Sequence, residues 1–152
     1  MGKIISLKQI KDLREETGVG IMDAKKALTE AKGEIKKAAE LLKKWGAEKL
    51  AGREDKVTNE GQVFAYLHHD GRLGSLVKLN CETDFVARST EFQTLGKELA
   101  MQAAAMAPKN PAALLAQAYV RDSAKTVADL VNETAVKVKE KISVAEIVRL
   151  AV

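Results

Sequence analysis

The stretch NCETDFVARSTEF, residues 80–92, lies where the periodicity of the chain changes. Before it the apolar residues follow a two-residue period, as in a β-strand; after it they recur at intervals of three and four, as in an amphipathic helix. The junction also places Phe85 directly after Asp84, where a loop is ordinarily polar. A strand that runs into a helix predicts a mixed core, and the large ring at the junction needs its own explanation.

A β-hairpin is predicted immediately upstream of this stretch. Residues 61–69 (GQVFAYLHH) and 72–81 (RLGSLVKLNC) flank Asp70-Gly71, a dipeptide favoured in hairpin turns. One face of the first strand carries Val63, Ala65 and Leu67, and the other carries Phe64, Tyr66 and His68. Both faces are substantially apolar, so we expect both to be covered.

Downstream, the pattern predicts helices followed by a third strand. A helix is expected from Thr90 to Ala107, ended by Pro108–Pro111, and its inward positions are Phe92, Leu95, Leu99, Ala103 and Met106. A short helix is predicted over residues 112–118 and a longer one over 123–141. The closing stretch ISVAEIVRLAV, residues 142–152, is rich in β-branched residues and alternates like a strand. The expected class is therefore α+β, with a small three-stranded antiparallel sheet against helices.

The first 46 residues predict three short helices. Ser6 and Gln9 form a capping-box pattern, TGVG at 17–20 interrupts the chain, and Gly33 and Gly46 are expected to end the second and third helices. Inward positions are Leu7, Ile10, Leu13, Met22, Ala24, Ala27, Leu28, Ala31, Ile35, Ala38, Ala39, Leu42 and Trp45. We therefore predict a three-helix module at 1–46, a charged, partly helical linker at 47–61, and an α+β domain at 62–152.

Composition narrows the class of protein. The chain has 152 residues, 46% of them hydrophobic and 30% charged, with a net charge of +4, as in an ordinary globular protein. Its one cysteine, Cys81, excludes an intrachain disulfide and fits a reducing compartment. No apolar run approaches a membrane span or a signal peptide, so a cytoplasmic or organelle-interior location is expected. MGKIIS fits a myristoylation pattern at Gly2, but a capping role accounts better for Ser6.

Three motifs resemble those of one family. LREETGVGIMDAKKALTEAKGEIKKAAELL (13–42) is similar to the N-terminal module of translation elongation factor Ts. NCETDFVAR (80–88) resembles the most characteristic stretch of that family, and AQAYVRDSAKTVADLVNE (116–133) resembles its C-terminal motif. Two departures stand out: the stretch between KNP and AQAYV is short, and the last strand reads VAEIVRLAV where the family usually has an Arg-rich, Phe-containing segment.

The resemblance carries implications for fold and function. It implies a ubiquitin-associated-like three-helix module followed by an α+β core. It also implies guanine-nucleotide exchange on elongation factor Tu, a role that needs no nucleophile, cofactor or resident metal. The chain looks like the short form of the family, which dimerises through its sheet. Neither a nucleic acid nor a membrane is an implied partner.

The same resemblance nominates site residues. In that family the Asp and Phe of this motif intrude beside the Mg²⁺ site of the GTPase and help to displace the ion. By motif match the resemblance implies this role for Asp84 and Phe85, flanked by Thr83 and Val86. The N-terminal docking candidates are Arg14, Thr17, Gly18, Val19, Gly20, Met22 and Asp23. Lys125 and Thr126 match the third motif, whereas Val127 is a core candidate. The competing structural interpretation is that Phe85 packs beneath its own helix, the glycines serve a turn, and Met22 belongs to the small core.

Two other classes of function remain open from residue chemistry alone. A basic chain that begins with helices could be a nucleic-acid-binding module, although its lysines are mixed with glutamates and its sheet lacks paired aromatic residues. A small enzyme could use Glu82 and Asp84 as paired carboxylates. His68 and His69 are expected on opposite faces of a strand, where they cannot easily share a metal ion. Cys81 is expected to be a buried, reduced strand residue rather than a catalytic thiol.

Overall fold

A computed structural model describes residues 4–152 as two compact units, one ending at Gly52 and the other spanning Arg53–Val152. The first is built from α1 (Leu7–Thr17), α2 (Ile21–Glu30) and α3 (Ile35–Ala51). The predicted cap of α1 is confirmed, because the Ser6 hydroxyl accepts the Gln9 N–H and the Gln9 side chain accepts the Ser6 N–H. Gly2, the acceptor of the myristoylation pattern, lies outside the described residues.

Helices α1 to α3 enclose a small apolar core. Its buried members are Ile10, Leu13, Ala24, Ala27, Leu28, Ala31, Ala38 and Leu42, with Ile35, Ala39 and Trp45 packed at its edge. Two inward assignments were wrong: Leu7 is 86% exposed and Met22 is 77% exposed. Each stands in the first turn of its helix and is not among the residues that pack against this core. In both helices the apolar pattern of the sequence therefore begins one turn before the part of the helix that its neighbours cover.

The predicted end of the third helix at Gly46 was also wrong. Helix α3 continues to Ala51, and Gly46 is buried inside it. A glycine ends a helix where the chain must turn to positive φ, as Gly18 does after α1 at φ 72°, and Gly46 is not at positive φ. The first residues of the predicted linker at 47–61 are therefore the last turn of α3, and the following strand starts at Glu60.

The second unit is an α+β core, as predicted. Its elements in chain order are β1 (Glu60–Leu67), β2 (Leu73–Cys81), α4 (Asp84–Ala87), α5 (Thr90–Met106), α6 (Pro111–Ala116), β3 (Ala118–Tyr119), β4 (Asp122–Thr126), α7 (Val127–Val138) and β5 (Ser143–Ala151). Strands β1, β2 and β5 form an antiparallel sheet with β2 in the middle. The hairpin, the long helix and the third strand are thereby confirmed. The inward assignment of Met106 was wrong, because this last residue of α5 is 50% exposed.

The other elements of the second unit cover only one face of this sheet. Phe64 and Val77 point towards α5, and the Phe64 ring lies 5.8 Å from that of Phe92. The expectation that both faces are covered was wrong for the second unit taken by itself, because its own elements leave the opposite face open. Its large apolar side chains are Val63, Leu67, Leu76, Val148 and Leu150.

A two-stranded ribbon replaces the first turn of a predicted helix. Strands β3 and β4 pair with each other, so α7 starts at Val127 rather than at residue 123. The side chain of Gln102, fully buried, holds the ribbon by donating to the Ala118 carbonyl and accepting the Val120 N–H. A reciprocal cap between Thr126 and Asp129 then fixes the start of α7. The spacing of that cap was visible in the sequence.

Candidate functional site

The junction at residues 80–92 is a short, capped helix. Strand β2 ends at Cys81, and the Thr83 hydroxyl accepts the Val86 N–H at 3.3 Å, which begins α4 at Asp84. Val86 is buried, as is the next residue, Ala87, so the inner side of α4 is attached to the unit. The helix is therefore a fixed support for the side chains on its outer side.

Phe85 is on that outer side and is 78% exposed. The interpretation in which this ring packs beneath its own helix is wrong. Asp84 is also exposed and forms an ion pair with Arg88 at 3.0 Å along the same turn. A large ring left in water costs hydrophobic free energy that burial would recover, and such rings mark partner-binding surfaces when they are rigidly presented.

Two carboxylates attach the chain before α4 to distant segments. Glu140 accepts the N–H groups of Glu82 and Thr83 at 3.1 and 3.0 Å and the Thr83 hydroxyl at 2.7 Å. Glu82 accepts two hydrogen bonds from Arg53, at 2.6 and 3.0 Å, and one from the Lys141 N–H. Sequence patterns missed Glu140 and Arg53 because each lies far along the chain from the residues it binds.

The environment of Glu82 disfavours the paired-carboxylate enzyme. The Arg53 guanidinium, together with the Lys141 N–H, holds the pKa of Glu82 below its usual range. A general acid needs the opposite shift, because it must carry a proton at neutral pH. Glu82 is therefore a structural anchor. Cys81 is buried, as predicted, and its thiol donates to the Thr83 carbonyl. Burial raises the pKa of the thiol to about 11, which disfavours the reactive thiolate at neutral pH.

The N-terminal candidates divide into two groups. Arg14, Thr17 and Gly18 have structural uses: the Arg14 side chain donates to the Val19 carbonyl, Thr17 donates to Leu13, and Gly18 ends α1 at positive φ. Val19 packs at the edge of the small core.

Gly20, Met22 and Asp23 form the second group, at the start of α2. A β-carbon at Gly20 would meet nothing within 4 Å, so the fold alone does not require glycine there. Met22 projects into solvent, and Asp23 is half-buried in the first turn. The start of α2 therefore offers contact surface that the fold of this unit does not use.

The C-terminal candidates have local partners. Lys125 forms an ion pair with Glu133 at 3.1 Å, and Thr126 caps α7 by accepting the Asp129 N–H. Val127 is fully buried and belongs to the core, as expected. These contacts account for Lys125 and Thr126 within the fold.

The two histidines are closer than predicted. Their ring centroids lie 4.2 Å apart, because β1 ends at Leu67 and strand alternation no longer applies at His68. His68 also hydrogen-bonds Tyr66 at 3.0 Å. Among residues 4–152, no group of three or more His, Cys, Asp and Glu side chains is arranged to hold a metal ion. In the same range, no helix combines the length and apolar character needed to span a bilayer.

Comparison with known proteins identifies the family. The family model described as "Elongation factor TS" matches residues 7–110 and 82–152. Elongation factor Ts of Thermoanaerobacter sp. is 39% identical over 191 aligned positions, covering 96% of this chain and 94% of the relative. The protein of the same name from Leptospira biflexa is 47% identical over 133 positions, covering 88% of this chain and 63% of the relative. The chain therefore belongs to the elongation factor Ts family of translation elongation factors.

Proposed function

We propose that this chain is a guanine-nucleotide exchange factor for elongation factor Tu, and that it promotes GDP release by displacing Mg²⁺ from the GTPase site. The observation that carries the proposal is the 78% exposure of Phe85 on a capped helix whose other side is buried. Nothing in the second unit uses this ring for packing. A rigidly presented aromatic group is suited to enter a pocket of a partner.

Displacement of the cation follows from the neighbours of Phe85. Mg²⁺ bridges the nucleotide phosphates to a GTPase and neutralises their charge, so any group that disfavours the ion weakens nucleotide binding. Asp84 adjoins the ring and keeps an exposed carboxylate at the start of α4, where the helix dipole favours negative charge. The ring would then crowd the ligands of the ion, while the carboxylate, which attracts Mg²⁺ and repels phosphate, would compete with the nucleotide for the ion.

Exchange by this route is a matter of linked binding equilibria. If the chain weakens GDP binding to the GTPase by some factor, GDP must weaken binding of the chain by the same factor. A coupling of about 4 kcal/mol corresponds to roughly a thousandfold faster release when it appears wholly in the off-rate. No covalent intermediate is formed. A translation factor of this type would act where ribosomes work, in the cytoplasm or in the interior of an organelle.

The N-terminal unit would supply a second contact with the GTPase. Its exposed start of α2 offers Met22 as an apolar anchor, and Gly20 leaves room for close approach of a partner backbone. Arg14, Thr17, Gly18, Val19 and Asp23 would contribute by shaping this turn, and Lys125 and Thr126 by a separate contact from the second unit. Docking by one unit would raise the effective concentration of Phe85 at its target.

Release of labelled GDP from purified elongation factor Tu tests this function. Addition of the chain should accelerate release at least tenfold, and raising the Mg²⁺ concentration should oppose the effect, because ion and chain compete through the same linkage. Equal release rates with and without the chain would refute the proposal. If the chain accelerated GDP release equally at all Mg²⁺ concentrations, the exchange function would stand, but displacement of the ion would be rejected as its mechanism.

A second copy of the chain would cover the open face of the sheet. The register places Ala65, Leu76 and Val148 in one row across the three strands, and Leu67, Gly74 and Leu150 in the next. A single ion pair, Lys78–Glu146 at 3.5 Å, interrupts this apolar surface. Exposed apolar patches of this kind mark protein interfaces, and a twofold pairing lets each copy cover the other.

The central residue of this face gives a prediction on oligomeric state. Leu76→Glu would place a charge in the middle of the dimer interface, so we expect a dissociation constant at least a hundredfold higher, with unchanged circular dichroism. Sedimentation at micromolar concentration measures the change. Val120→Glu, which introduces the same acidic side chain at a similarly exposed apolar residue, in the turn between β3 and β4 that Gln102 of α5 holds, is the control and should leave association unchanged. A wild-type chain that sediments only as a monomer would contradict the dimer itself.

A further inference from the structure

Two distant segments hold each other at the base of α4. The Glu140 carboxylate accepts the N–H groups of Glu82 and Thr83, and the Glu82 carboxylate accepts the Lys141 N–H at 2.6 Å. Each segment therefore supplies a carboxylate to the backbone of the other. Hydrogen bonds to charged acceptors are stronger than those between neutral groups, so this reciprocal arrangement is a firm attachment.

The chain delivers Glu140 to this place through a turn at the end of α7. Lys139 follows the last helical residue and has a φ of 60°, a left-handed conformation that reverses the chain direction. Lys141 is held as well, because its ammonium group donates to the Glu54 carbonyl at 2.7 Å. The position of Glu140 is thus set by backbone geometry on both sides of it.

Helix α4 needs an external anchor because it is very short. A four-residue helix has few internal hydrogen bonds to stabilise it, and its start depends on the Thr83 cap. Thr83 uses its hydroxyl twice, since it accepts the Val86 N–H and donates to Glu140 at 2.7 Å. Phe85 adds no packing of its own, being largely exposed. Val86 and Ala87 are buried and hold the inner side of α4, and the direction of the ring depends in addition on how firmly Thr83 holds the start of the helix.

We infer that Glu140 is a positioning residue for Phe85, fixing the start of α4 so that the ring is presented in one direction before the partner arrives. The inference rests on the proposed exchange function and adds a residue outside the matched motif. A loop that becomes ordered only on association costs conformational free energy, which weakens binding. An anchor that orders the loop beforehand avoids that cost. Glu140 acts through Thr83 and touches neither the nucleotide nor the ion.

Substitutions at Glu140 separate anchoring from charge. Glu140→Ala removes all three hydrogen bonds, and we expect GDP release from elongation factor Tu to proceed about tenfold more slowly than with wild type. Glu140→Gln keeps a carbonyl for the two N–H groups and an amide for the Thr83 hydroxyl, so its rate should stay within about threefold. Glu91→Gln is the charge-matched control in the first turn of α5 and should match wild type.

A shortened side chain protects the test against poor folding of the alanine variant. Glu140→Asp retains the charge but withdraws the carboxylate by one methylene, so it should also slow release. A folded Asp or Ala variant with wild-type exchange would overturn the inference. The double variant Glu140→Ala with Phe85→Ala should be no slower than Phe85→Ala alone, because the anchor acts through the ring. Additive losses would also overturn it.

Amide hydrogen exchange in the isolated chain tests the anchor without the partner. In Glu140→Ala the amides of Glu82 and Thr83 should exchange at least tenfold faster, while that of Leu79 in β2 stays unchanged. Unchanged protection at both residues would reject the anchor, whatever the GDP assay shows. A different result would be faster amide exchange in Glu140→Ala together with a wild-type chain that does not accelerate GDP release from elongation factor Tu. That result would reject the nucleotide-exchange function but support the anchor.

Discussion

Phe85→Ala is expected to reduce the acceleration of GDP release about a hundredfold while leaving the chain folded. Truncating a desolvated aromatic anchor at an interface costs about 2–4 kcal/mol of binding free energy, and a tenfold change in rate corresponds to about 1.4 kcal/mol. The same side chain is 78% exposed in the free chain, so its removal should change the free energy of unfolding by less than about 0.5 kcal/mol. Stopped-flow release of fluorescent GDP and a thermal melt by circular dichroism measure the two quantities.

A matched variant shows whether this loss is specific to the ring. Met106→Ala truncates another exposed apolar residue, at the end of α5, and should leave the GDP-release rate at the wild-type value. Binding of the two variants to nucleotide-free elongation factor Tu distinguishes weaker docking from weaker ion displacement. A fully active, folded Phe85→Ala variant would exclude the ring as the wedge, and a variant that unfolds would contradict its exposure.

The fold was predictable wherever local pattern and tertiary packing agree. The two-residue period around Asp70-Gly71 predicts the β1–β2 hairpin, and the spacing of apolar residues predicts α5 almost to the residue. The pattern was misleading at Leu7 and Met22, which continue an apolar stripe but point into solvent. Periodicity reports which side chains share a face, whereas the extent of that face is decided by the elements packed against it.

The ribbon at β3 and β4 shows the limit of local reasoning in another way. Residues 122–126 have no strong strand propensity, and β4 exists because β3 pairs with it and Gln102 supplies hydrogen bonds from α5. The hydrogen bond from Gln102 of α5 to the ribbon joins residues more than a dozen positions apart, and no local sequence pattern in either segment predicts it. Thr126 and Asp129 were the available signal, because a reciprocal cap marks where the following helix starts.

At the candidate site, too, some features were predictable from the sequence and others depend on the folded structure. Motif resemblance nominates Thr83, Asp84 and Phe85, but their periodicity alone could not decide whether the ring packs inward. Exposure of the ring depends on which side of α4 the sheet and α5 cover. Glu140 reaches the site across 57 positions of sequence, so its role depends on the folded topology that brings α7 back to β2.

Gly96 is the position where adding one methyl group should destabilise the second unit most clearly. A β-carbon there would overlap three atoms of the Phe64 ring, which itself packs against Phe92. Gly96→Ala should therefore lower the free energy of unfolding by about 2 kcal/mol, because an overpacking cost of about 3 kcal/mol outweighs the gain of about 1 kcal/mol in helix propensity. Gly52→Ala is the control: its β-carbon would lie 3.5 Å from the nearest atom, at right-handed φ, and stability should change by less than about 0.5 kcal/mol. Urea unfolding compares the two variants. Equal urea midpoints for the two variants would mean that α5 and β1 are not in contact at Gly96. That result would contradict the close packing of α5 on the sheet.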